Sequence, residues 1–522
     1  MWISRRPWIV FCCLIVSPVV SSQLAFGQVA TPRKTEEPVA RAEFGYVGAG
    51  SCSAAGCHGG NGTRPKFALA TRSTEDFSAY STWIQKDQHA RAYQVLLEDK
   101  SLQIHRLLGK GWKPPHQEAR CLSCHATSAV AATTHDPVQA TAHDEWLDQE
   151  RLSDGVSCEA CHGPAKNWLV PHTLDSWRSL ASEERKALGF QDLRHDLVAR
   201  AQTCAECHVG GPGRDVNHDL IAAGHPRLYF ELAAYHANMP AHWSNEKDRQ
   251  TFRPPAAEIA NAATASSLRE AKLWLVGQLA TSEAALNLLE SRARAAAAGH
   301  GAWPEFSEYS CYACHHDLQS PSWRQKSSPL SRTDSKPGSY PWGTWTFPLL
   351  ATLKPQPSDL PWDTSLKELQ KAMGRPTPAP ADVLTWTAAS RNALTQELAQ
   401  HVTPVSLTVA QLRELLQRVT HDGQELSSRD WDGAAQTYLA TLSLYQASLE
   451  ASGTRIDMKR PVGQLDPIQR SLITLREKLS FPNPPDSQQR LNSPRNFDTN
   501  RIQVIQNELR RIEELVKRPE LP

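Results

Sequence analysis

The chain has 522 residues, 40% of them hydrophobic and 21% charged, and its 56 Lys and Arg nearly cancel 55 Asp and Glu. A net charge of +1 gives no basic field for nucleic acid or for an anionic membrane surface. The length allows about three domains.

The first residues read as an address. Ser4-Arg5-Arg6 is a positive start, Trp8 to Val20 an apolar run, and Ala25-Phe26-Gly27 closes it with small residues. The run is too short for a spanning helix and contains Pro18. Residues 1–27 are therefore expected to be a removed signal peptide rather than a retained anchor, which leaves no integral membrane span in the mature chain. Residues 28–45 follow as a linker.

From residue 46 to residue 320 the chain carries five cysteine pairs. Four read Cys-x-x-Cys-His: Cys121/Cys124/His125, Cys158/Cys161/His162, Cys204/Cys207/His208 and Cys311/Cys314/His315. The first, Cys52/Cys57/His58, has four residues between its thiols. Paired cysteines alone could be zinc clips or thioredoxin-like sites. Neither needs a histidine directly after the second cysteine, and all five pairs have one. That arrangement is the attachment signature of a c-type haem: two thiols add across two vinyl groups, and the adjoining histidine becomes the proximal iron ligand. About five covalently attached haems are expected. Cys12 and Cys13 lie in the apolar leader, so the pairs use all ten remaining cysteines.

Eighteen of the twenty histidines fall between His58 and His316. The sole methionine in that region is Met239. Methionine ligation raises haem potential, so the composition predicts mostly bis-histidine haems of low potential. Five histidines are candidate distal ligands. His89 lies in a helical pattern after Trp83, and His172 and His218 each come ten residues after a proximal histidine. His225 sits in Ala-Gly-His-Pro-Arg, and His242 precedes Trp243. His105, His116, His135, His143, His195, His236, His300 and His316 are weaker candidates, since a lone histidine is more often a surface or hydrogen-bonded residue.

Gly155-Val-Ser-Cys-Glu-Ala-Cys-His-Gly163, His172, Cys204-Ala-Glu-Cys-His208, Asn217-His218 to Leu228 and the Trp83 to Ala92 segment resemble the multihaem cytochromes related to the tetrahaem cytochrome that accepts electrons from hydroxylamine oxidoreductase. The resemblance covers roughly residues 46–245. It implies a mostly helical fold wrapped around closely stacked haems, with electron transfer as the main role, and it allows one haem without a sixth protein ligand. The chain departs from that pattern in a fifth motif, a widened first motif and some 200 further residues at its end.

Residues 261–298 are rich in alanine, with Leu275, Leu279, Leu286 and Leu289 at helical spacing, and read as a long packing helix between motifs four and five. Residues 321–365 read as an irregular Pro/Trp-rich connector, where Trp323, Trp342, Trp345 and Trp362 imply packing. Residues 366–522 read as a helical bundle with helices over 380–400, 408–420, 431–450, 467–479 and 498–517. Asp382 and Asp430 are expected as starts, and Gly423 and Gly453 as stops. An apolar stripe over 506–517 fits bundle packing, with a docking or oligomer contact as the alternative.

The expected fold is thus mostly α: a haem domain with sparse secondary structure, then a C-terminal bundle. The expected function is an exported, periplasmic or otherwise extracytoplasmic, multihaem cytochrome that passes electrons between redox partner proteins. The alternative is an oxidoreductase acting on a small nitrogen or sulfur compound at a five-coordinate haem, for which the widened Cys52/Cys57 site is one place.

Overall fold

The computed structural model describes residues 45–60, 77–109, 111–127, 149–194, 196–242, 268–311, 340–353, 361–400, 407–451, 465–480, 497 and 499–518. The expected signal peptide and most of the expected linker, together with Cys314, His315, His316, His135, His143, His195, Trp323 and Gly453, lie outside them.

The first half is built of short helices: α1 (Ala79–Lys86), α2 (Asp99–Leu108), α3 (Ala119–His125), α4 (Gln149–Ser153), α5 (Cys158–His162), α6 (Ser182–Ala187), α7 (Leu197–His208), α8 (His218–Ala222) and α9 (Leu232–Asn238). Single 3-10 turns join several of them, including Gln88–Arg91. Before residue 197 the buried apolar side chains form three small clusters, around Tyr93 and Leu96, around Trp83, and around Trp168 and Trp177. None of these amounts to a domain core. Large apolar side chains left exposed, such as Ile84, Leu107, Val170 and Leu174, all belong to this half and its margins.

The second half is different. Helix α10 (Arg269–Ala297) buries Leu273, Trp274, Leu279, Leu286 and Leu289 almost completely. It is apolar on more than one side because it has neighbours on more than one side. It packs against α7 and α9 from the first half. From the second half it meets α12 (Pro380–Gln400), which follows α11 (Pro361–Met373), and α14 (Trp431–Ala451), which follows α13 (Val409–Arg429). Helices α15 (Pro467–Leu479) and α16 (Thr499–Val516) complete the bundle, α16 lying on both α13 and α15. One continuous core runs from Val198 on α7 to Val516 on α16. Residues 44–522 make one compact unit. Among the described residues there is no sheet, only isolated bridges at Gly211/Arg214 and Tyr309/Trp342.

Local chemistry explains the helix limits. The Thr408 hydroxyl accepts the Gln411 N–H while the Gln411 side chain accepts the Thr408 N–H, a reciprocal cap on α13. Asp466 does the same with Gln469 for α15, and Pro467 occupies the first helical position. Asp430 accepts the Gly433 N–H at 2.7 Å at the start of α14, as expected. Two expectations need correction. Helix α11 begins at Pro361, inside the stretch read as irregular, because Trp362, Leu366 and Leu369 supply a buried face that the Pro-rich composition hid. Gly423 does not stop a helix. It lies inside α13, where α14 approaches so closely that an added Cβ would lie 2.1 Å from Thr437 Cγ2.

The described connector tryptophans, Trp342, Trp345 and Trp362, are packed. Trp345 donates to the Phe230 carbonyl at 2.9 Å and stacks on Trp431, while Trp342 donates to Glu308 at 3.0 Å. Since Thr437 is fully buried, Gly423→Ala should cost about 1–3 kcal/mol by overpacking. Denaturant unfolding of the mature protein measures it, and an unchanged midpoint would mean that α13 and α14 are less closely packed than described.

Candidate functional site: cysteine clusters and paired histidines

On a helix, residues i, i+3 and i+4 share one face. Motifs two, three and four use this: α3, α5 and the last turn of α7 each end on the motif histidine, with both cysteines on the turn before it. Motif one is built otherwise. Cys52 closes the 3-10 turn Ala49–Cys52, and the two additional residues are taken up by a turn in which the Ala54 carbonyl accepts from Cys57 N and Gly59 N.

None of the nine described cysteines is joined to another in a disulfide. Across motifs, Cys52 lies beside Cys158, and Cys124 beside Cys207. Burial pushes the Cys161 thiol up to about 12, beside Cys204 and Cys207. The cysteines of motifs one to four therefore lie close to one another. Glu159, between the two cysteines of motif three, fixes part of this arrangement. Its buried carboxylate accepts Val47 N at 3.0 Å, Gly48 N at 2.8 Å and Ala165 N at 2.7 Å, while Asp154 accepts Ala49 N at 2.9 Å.

Four of the five expected distal histidines lie opposite a motif histidine from elsewhere in the chain. Ring centroids are 6.3 Å apart for His58 and His172, 6.0 Å for His89 and His208, 6.4 Å for His125 and His225, and 6.5 Å for His162 and His242. An imidazole nitrogen sits about 1.2 Å from its ring centroid and binds a transition metal at about 2.0 Å, so two rings on opposite sides of one metal have centroids roughly 6.3 Å apart. The pairs match that spacing. The inter-ring angles are 76°, 86° and 82° for the pairs at His208, His125 and His162, but 11° at His58.

Ring orientation is fixed from behind. His125 Nδ1 donates to the Ala92 carbonyl at 2.8 Å, His225 Nδ1 to the Pro226 carbonyl at 2.8 Å, and His172 Nδ1 to the Leu169 carbonyl. A carbonyl can only accept, so each of these rings keeps its Nε2 lone pair for a metal. Burial pushes His162 and His208 down to about 4, and lowers His125, His225 and His242, which favours the neutral, ligating form. Flat aromatic groups line the rings: Phe190 against His162, Phe230 and Tyr235 against His208, and Trp168 and Trp177 against His172.

Among the described residues no three His, Cys, Asp or Glu converge as a metal-holding group. Two imidazoles alone would leave an iron short of four ligands, and a porphyrin supplies four. The paired rings, adjacent thiols, aromatic walls and uncovered apolar side chains all fit that group.

The weaker candidates lie elsewhere. His105 and His116 bury Nδ1 atoms with no hydrogen-bond partner among the described residues, His236 contacts Arg200 at 3.1 Å, and His300 is exposed. His218 faces the approach to motif five. Its N–H donates to Glu305 at 2.8 Å and its ring lies 5.9 Å from Phe306, while Arg227 Nη1 is 3.2 Å from Cys311 Sγ. Sequence reasoning missed Glu159, hidden inside a motif, and Asp87, whose position two residues before His89 was a capping signal.

Residues 72–163 match the family model for cytochrome c554 and c-prime. The matched segment holds His89 and motifs two and three, and the expected words at 204–228 lie beyond it. No curated protein and no solved structure matches the chain. A cytochrome c554-type segment implies a multihaem c-type cytochrome with covalently attached haem, and such cytochromes act outside the cytoplasm with redox partners. Among the described residues no helix is long and apolar enough to cross a membrane.

Replacing Glu159 by Ala strands three backbone N–H groups where Glu159 is now 2% exposed. Glu159→Ala should cost about 3 kcal/mol or more and free the 45–60 segment. Limited proteolysis of the mature protein reads this as faster cleavage near residue 50, and an unchanged pattern would remove Glu159 from its role as a tether.

Proposed function

We propose that this is an exported electron carrier with five covalently attached haems, mostly bis-histidine, held by residues 46–320 and buttressed by the C-terminal helices. The thioether cysteines are Cys52, Cys57, Cys121, Cys124, Cys158, Cys161, Cys204, Cys207, Cys311 and Cys314. The proposed axial pairs are His58 with His172, His125 with His225, His162 with His242, and His208 with His89. His218, beside Glu305 and Phe306, is proposed for His315. The observation that carries the reading is the set of four imidazole pairs at 6.0–6.5 Å, each joining a motif histidine to a distant one.

When bound, each haem supplies an iron that cycles between ferric and ferrous states. The chain does the rest. Cys52 beside Cys158 and Cys124 beside Cys207 bring neighbouring attachment points close together. Trp168, Phe190 and Phe230 wall off water, and two neutral imidazoles per site favour electron passage over substrate binding. Helix α10, wedged between α7 and helices α12 and α14, fixes His208 at the end of α7. The C-terminal helices are thus part of the scaffold that positions a ligand.

Catalysis at an open iron requires a motif histidine with nothing opposite. At motif one, the odd one out by spacing, His172 stands opposite His58. The catalytic alternative is left with motif five, and no observation favours it there.

Electron paramagnetic resonance of the oxidised, haem-loaded protein tests the reading. Nearly perpendicular axial rings leave two iron dπ orbitals close in energy and give large-gmax low-spin signals, whereas parallel rings split them and give a rhombic signal. The expected spectrum has three large-gmax irons and one rhombic iron from the four described pairs. His242→Ala should turn one large-gmax iron high-spin. A wild-type spectrum with several high-spin irons, or one that responds to hydroxylamine or nitric oxide at motifs one to four, would overturn the assignment.

A further inference from the structure

Three of the paired rings present Nδ1 to a neutral carbonyl, but His89 does not. Its Nδ1 lies 3.0 Å from Asp87 Oδ1, and the same oxygen accepts the His89 backbone N–H at 3.0 Å. Asp87 is 5% exposed, and its other oxygen, Oδ2, is buried without a hydrogen-bond partner among the described residues. The segment is rigidly seated. The His89 carbonyl accepts Val156 N at 3.0 Å, Trp83 Nε1 donates to the Val156 carbonyl at 3.1 Å, and Gly155 has a φ of 64° with no room for a Cβ against the His89 carbonyl. The His89 ring thus meets His208 with a carboxylate fixed behind it.

A carboxylate behind a ligating imidazole draws the Nδ1 proton toward itself and makes Nε2 a stronger donor to the metal. A stronger donor favours the ferric over the ferrous iron, and so does a buried negative charge nearby. We propose that Asp87 is a positioning residue that sets the potential of the His89/His208 haem, holding it below the haems whose histidines are backed by carbonyls. This rests on the axial assignment above. On stepwise reduction by dithionite, one electron per iron, the carbonyl-backed sites fill first and the His89/His208 site fills after them.

The test is a redox titration of the full, haem-loaded protein, followed by electron paramagnetic resonance. Asp87→Asn keeps the size and the backbone cap but removes the charge. The expected result is that one large-gmax iron shifts its ferric–ferrous equilibrium about tenfold toward ferrous, about 59 mV upward for one electron, with no other iron shifting as far. A variant whose irons all stay low-spin and none of which shifts more than about twofold overturns the proposal. His89→Ala separates the two claims. If it turns one iron high-spin, the axial assignment stands whatever Asp87→Asn shows; if every iron stays low-spin, the assignment itself fails. Should Asp87→Asn not mature, near-infrared magnetic circular dichroism of the wild-type protein decides. One charge-transfer band displaced to higher energy, as an imidazolate-like ligand produces, supports the proposal, and bands at a single position overturn it.

Discussion

The structure depends on imidazole pairs that span long stretches of chain. Each described pair joins residues 80 to 119 positions apart, so each closes a long loop. Loop closure of that length carries an entropic cost that the three small apolar clusters before residue 197 are poorly placed to offset. Two axial bonds and two thioether links per cofactor can offset it, and metal binding then contributes directly to folding. This accounts for the short helices of the first half. On the proposed reading, their task is to present a cysteine pair and a histidine at one turn, and flat cofactors would supply much of the apolar interior.

The second half obeys ordinary packing rules. Leu273, Trp274, Leu286 and Leu289 on α10 are fully buried among α7, α12 and α14. A single core therefore runs from the last turns before motif four into the C-terminal bundle. Within it, α13 and α14 approach closely at Gly423 and Thr437. Helix α14 packs on α10, and α10 on α7, which ends at His208. On the proposed reading cofactor binding organises the first half, while hydrophobic burial organises the second.

Much of this could be read from the residues. The five motifs announce themselves by spacing, and the helices over 380–400 and 467–479 have the bounds their apolar periodicity suggested. The distal candidates His89, His172, His225 and His242 each lie opposite a motif histidine. What could not be read was which motif each would meet. His172 comes ten residues after His162 yet lies opposite His58, because Trp168 and Trp177 turn that segment back toward the first motif. Glycine misled for a related reason. At Gly423 it serves close helix packing, and propensity alone treats it as a stop. The roles of Asp87 and Glu159 were illegible because a buried carboxylate acquires its meaning from backbone N–H groups and rings brought to it by the fold.

Electron passage as proposed requires porphyrin bound covalently to this chain through five cysteine pairs. Intact-protein mass spectrometry on the mature, exported protein tests it most directly. The expected mass is that of the polypeptide plus five haems, retained after denaturation and extraction with acidified organic solvent. A correctly exported product that weighs no more than its amino acids would contradict it.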